Sequence, residues 1–125
     1  MIEESGENVV NADEVELLIR AMAKDFVSKL PARLEQMNFA LQLCRQNMGD
    51  EKICREHLAT LFRLLHSLAG SAGSFGYDGI GAQARHLEQK MSVLLGANAC
   101  EEEELLELNA GLIELQQKMP LTSRM

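Results

Sequence analysis

The chain has 125 residues, enough for one domain with a single hydrophobic core. Its formal net charge of −7 argues against a nucleic-acid partner, because phosphate binding needs clustered Lys and Arg. Hydrophobic residues make up 46% but include only four Phe and one Tyr, which suits a helical bundle of Leu, Ala and Met.

Residues 1–10 are acidic and lack periodicity, and are expected to form a flexible N-terminal segment. Asn11-x-x-Glu14 is a variant capping box. The helix it opens carries Val15, Leu18, Ile19, Met22, Phe26 and Leu30. Pro31 suits the first turn of a new helix, so the spacing predicts a break there. A second helix through Leu34, Met37, Leu41 and Cys44 is expected to stop at Gly49, with Asp50 as the next N-cap. The third helix, about Glu51 to Phe75, has Leu58, Leu61, Leu65, Leu68 and Ala72 on one face.

Gly76-Tyr77-Asp78-Gly79 is a turn, and the fourth helix starts about Ile80 with Ala84, Leu87, Met91 and Leu94 inward. Gly96 closes it. Asn98-x-x-Glu101 is a second capping pattern, and Glu101–Glu104 suits the positive end of a helix macrodipole better than a metal site. The last helix carries Leu105, Leu108, Leu112 and Leu115 and ends before Pro120. Short connections imply antiparallel neighbours. The expected fold is all-α: an antiparallel up-and-down four-helix bundle with an additional N-terminal helix. It occupies residues 11–120, with 121–125 as a tail.

Cys44, Cys54 and Cys100 form no Cys-x-x-Cys pair and are expected to be free thiols in a reducing compartment. The chain shows no secretory h-region and no apolar run of membrane-spanning length, so a cytoplasmic, non-membrane protein is expected. No face is plainly left over for a dimer, and a monomer is expected. His57 lies near Cys54 at helical spacing, but two such ligands without a second pair make a weak metal site. His57 and His86 are both expected at the surface, and no metal is assigned.

His66 is different. With Leu61 placed at zero, it lies about 140° around the third helix, outside the core stripe. Its flank holds Ala59, Phe62, Ala69, Gly70 and Gly73, four of them minimal side chains. Each internal Gly costs a helix roughly 0.8–1 kcal/mol against Ala, so their presence asks for a reason. A bare imidazole on ground where another backbone can approach is such a reason.

The pattern His66-x-Leu68-x-Gly70-Ser71-Ala72, then Phe75-Gly76 and later Leu87-Glu88, resembles the histidine-containing phosphotransfer (HPt) domain of two-component signalling. It is also similar to the phosphoacceptor domain of chemotaxis kinases. The resemblance implies a phosphorelay carrier rather than an enzyme with a self-sufficient active site. His66 would pass a phosphoryl group to or from an Asp of a response-regulator receiver domain, upstream of which stands a sensor or hybrid histidine kinase. The carrier itself needs no cofactor, and Mg²⁺ is expected on the receiver.

Neutral imidazole attacks phosphorus through a ring nitrogen with a free lone pair, while a fixed acceptor holds the proton of the other. Glu88, beside core Leu87 and twenty-two residues after His66, is the candidate acceptor. Its alternative is an ordinary surface Glu paired with Arg85 or Ser92. Phe62 is a candidate apolar anchor for the partner. The family usually has Lys three residues after the His, where this chain has Ala69. Arg63 or Arg85 would have to stand in for that charge. The missing Lys also motivates a second reading, an HPt-like scaffold that binds a receiver without carrying phosphate; a purely structural helical module is a third.

Overall fold

The first two helices begin where a polar side chain meets the open N–H groups of the first turn. Asn11 Oδ1 accepts the Glu14 N–H at 2.9 Å, and Asp50 Oδ1 accepts the Ile53 N–H at 3.2 Å. In the computed structural model, which describes residues 11–97 and 100–120, these caps open α1 (Ala12–Gln46) and α2 (Glu51–Ser74). Two more helices follow, α3 (Asp78–Gly96) and α4 (Glu102–Gln117), and no strand occurs among the described residues. Asn98 lies outside the described residues, as do 1–10 and 121–125. The N-cap of α4 is Glu101, whose N–H donates to Glu104 Oε1 at 3.0 Å.

The all-α bundle expected from the sequence is present, with α1 packed on α2 and α4, and α3 on the same two. The break expected at Pro31 is not. The segment read as an additional N-terminal helix is the first part of a continuous 35-residue α1. Pro31 is exposed, while Leu30 and Leu34 on either side are buried in one core. Burial along one face holds the axis across the proline. The expected stop at Gly49 also moves: Asn47 is the C-cap, its N–H donating to the Cys44 carbonyl at 3.1 Å.

Phe26 meets Phe75 and Tyr77 at ring-centroid distances of 5.5 and 5.6 Å, at the level where α2 turns into α3. The first turns of α1 run past that level. Consequently Val15, Leu18, Ile19 and Met22, read as one inward stripe with Phe26, are 39%, 61%, 51% and 50% exposed.

The α2–α3 turn is shorter than expected, because α3 starts at Asp78. Gly76 sits at φ +82°, the Tyr77 N–H reaches the Ala72 carbonyl at 2.9 Å and the Gly76 N–H reaches that of Gly73 at 3.3 Å. This is a Schellman stop, and the left-handed position is why a glycine stands there.

Two polar devices set the helix spacing. Buried Gln83 donates from Nε2 to the Gly111 carbonyl at 3.0 Å and to Glu114 Oε1 at 3.1 Å, pinning α3 to α4. Arg55 donates to the carbonyls of Leu95 and Ala97, tying the start of α2 to the end of α3. The expectation of three free thiols fails: Cys44 and Cys54, both buried, are joined by a disulfide, and Cys100 alone is free. Their pairing follows from the hairpin, which brings the last turn of α1 against the first turn of α2. No described helix is long and apolar enough to cross a membrane.

Candidate functional site

Along α2, Leu58, Leu61, Leu65, Leu68 and Ala72 turn inward and are buried. His66 follows Leu65 by one residue, rotated about 100° off that line, and its side chain is 73% exposed. What stands beside it depends on how closely α3 approaches. The contact there is made of small groups. A Cβ built on Gly81 would lie 3.6 Å from the Ala69 carbonyl oxygen and the Ala72 Cβ, and 3.7 Å from the Gly73 nitrogen.

Seven residues further along α3, about two turns, Glu88 reaches back over α2. Its Oε2 lies 2.5 Å from His66 Nδ1, and its side chain is 17% exposed. A carboxylate is acceptor-only, so the proton of this bond sits on Nδ1. In the neutral ring Nε2 then keeps its lone pair. The carboxylate end of the pair is largely buried, and the imidazole end is exposed. Neither Arg85 nor Ser92 takes Glu88 in a hydrogen bond or ion pair.

Half-buried Phe62 lies one turn before His66, the two rings 6.4 Å apart and 14° from parallel. Gly70 and Gly73 are exposed, with nothing within 4 Å of where a Cβ would stand. The ground beside the imidazole is therefore open to another chain's backbone.

The remaining candidates are not brought to the ring. Ala69, placed in the exposed patch by sequence, is 3% exposed and lies under α3. Its angular position, about 80° from Leu61, faces the α3 crossing rather than solvent. Arg63 is exposed and bends back, Nη2 donating to Thr60 Oγ1 at 3.2 Å. Arg85 is exposed and makes no hydrogen bond or ion pair among the described residues. His86 is exposed, whereas His57 is half-buried in an apolar groove with Phe39 and Leu64. No group of three or more His, Cys, Asp or Glu among the described residues is placed to hold a metal ion.

Sequence reading missed Gly81, which lets α3 close on α2. It falls in the first turn of the helix expected from about Ile80, and no role was read for it. The signal was there: Gly81 continues the inward line of Ala84 and Leu87.

The model of one protein family, the Hpt domain, matches residues 21–118. No curated protein and no solved structure matches the chain. The family match starts at residue 21, within α1, and covers the other three helices in full, with both His66 and Glu88 inside it. The chain belongs to the Hpt domain family, the histidine phosphotransfer modules of two-component phosphorelays.

Proposed function

We propose that this chain is a phosphoryl carrier in which Nε2 of His66 is the acceptor and Glu88 orients the ring. The observation that supports it is the pairing of an exposed imidazole with a half-buried carboxylate at 2.5 Å. In the forward step the Nε2 lone pair attacks the phosphorus of a receiver's aspartyl phosphate. The P–O bond to the Asp breaks, and the carboxylate leaves with its electron pair. The ring becomes positive, and the Glu88 carboxylate on the Nδ1–H offsets that charge. The reverse step returns the phosphoryl group to an Asp.

The receiver supplies the Asp and the Mg²⁺ that clamps the transferring oxygens. This chain supplies a positioned nucleophile and open ground around it at Gly70 and Gly73, with Phe62 as an apolar contact. It acts as substrate and carrier, with receiver and kinase as partners. Incubation with a phosphorylated receiver should give acid-labile, base-stable label on the wild type and none on His66→Gln. Label of that kind persisting in the variant would overturn the assignment.

One observation favours a second reading. The position that usually carries Lys is buried Ala69, and Arg63 bends back to Thr60. A scaffold that binds receivers without carrying phosphate fits that. It predicts receiver binding that survives His66→Ala, with no label ever found on the wild type. Under the carrier reading, Arg85→Ala tests the stand-in cation: slower transfer supports it, and an unchanged rate removes it.

A further inference from the structure

Far from His66 lies a second pair of reactive side chains. Cys44 is in the last turn of α1 and Cys54 in the first turn of α2, with Cα atoms 4.2 Å apart. Both side chains are buried, at 0% and 3% exposure, and their sulfurs are bonded. Cys54 precedes His66 by twelve residues, about 18 Å of helix. We propose that Cys44 and Cys54 form a reversible thiol–disulfide site, a covalent clasp on the α1–α2 hairpin that sets the domain's stability by redox state without altering the chemistry of His66. It does not rest on the phosphotransfer reading.

Three observations carry this. First, the hairpin closes without the bond. The Asp50 N–H donates to the Asn47 carbonyl at 2.9 Å, Asn47 caps α1 through the Cys44 carbonyl, and Asp50 caps α2. These hydrogen bonds hold the hairpin independently of the disulfide. Secondly, a reduced cysteine packs as a small hydrophobe, so neither position becomes a buried unpaired polar group when the bond opens. The clasp is removable. Thirdly, Cys100 is left free, so the bonded pair is Cys44 with Cys54 and excludes it.

Oxidation removes two protons and two electrons from the pair. With a hydroperoxide as oxidant, one thiolate attacks the peroxide oxygen, forming a sulfenic acid and releasing water or an alcohol. The second thiol displaces water and the S–S bond forms. A dithiol reductant reverses the result by exchange. The bond spans a sequence separation of 10, so it restricts the unfolded chain. A loop of that size should raise Tm by roughly 5–15 °C.

The test takes the full chain through reduction, hydrogen peroxide and reduction again. After oxidation, alkylation in denaturant should modify Cys100 alone, and after reduction all three cysteines. Tm should rise and fall with those states by the same amount each cycle. Cys54→Ala should lose the response and Cys100→Ser should keep it. Where Cys54→Ala does not fold, the wild-type cycle decides alone. Three alkylated thiols after oxidation, a bond through Cys100, or one Tm in both states would overturn the proposal. So would a rate of His66 labelling that changes with redox state.

Discussion

At the scale of single residues, the proposed carrier divides its work between two ring nitrogens. Nδ1 is committed to Glu88, and Nε2 is left to the solvent side. Removing the carboxylate's charge while keeping its shape tests that division. Glu88→Gln should fold normally and accept phosphoryl roughly 10–100-fold more slowly, the usual effect of losing a partner that orients a functional histidine. Rates from a phosphorylated receiver measure it, and an unchanged rate would mean that the carboxylate is only structural. His66 was legible in the sequence because its signal is local: one imidazole among glycines on a helix flank. Glu88 was legible as a spacing, but its contact with the ring depends on how two helices cross. Ala69 shows the limit. Its size was read as open surface, whereas its angle on α2 puts it beneath α3.

At the scale of elements, the same residue type has opposite consequences in different helices. Nothing lies within 4 Å of a Cβ built on Gly70, whereas one on Gly111 would overlap Leu87 Cδ2. Gly70→Ala should therefore stabilise the fold by about 0.8–1 kcal/mol, the helix-propensity difference. Gly111→Leu should destabilise it by about 1–3 kcal/mol or more, because α4 must move away from α3 and the Gln83 bond to the Gly111 carbonyl goes with it. Denaturant titrations of the two variants check both signs. A Gly70→Ala variant that gains stability but exchanges phosphoryl with its receiver more slowly would also place the glycine in the docking surface. Neither Gly111 nor Arg55 could be found from sequence, since each answers to a partner many residues away. Caps were legible, as Asn11 and Asp50 show, because their donors lie three residues on. Pro31 misled for the converse reason: its local cost was plain, and the continuous core on both sides of it was not.

At the scale of the whole molecule, α1 is much longer than the helices it packs on. Its 35 residues would span about 52 Å, against about 36 Å for the 24 of α2. The apolar residues of its first turns therefore contribute little to the core. Replacing Leu18 or Ile19 by Asn should change stability by no more than about 0.5 kcal/mol. Replacing Leu30 by Ala, on the same helix but 1% exposed, should cost about 2–5 kcal/mol. Equal losses at the two places, read by thermal unfolding, would contradict this account of where the core ends. The sequence pattern gives these residues one continuous stripe, because periodicity records a face and not what covers it.

In the proposed carrier the phosphoryl group rides on one nitrogen of one histidine, and ¹⁵N NMR of the phosphorylated, ¹⁵N-labelled protein tests this most directly. Phosphorus coupling to Nε2 of His66, with Nδ1 still protonated, is the predicted result. Coupling to Nδ1, or to any other residue, would contradict it.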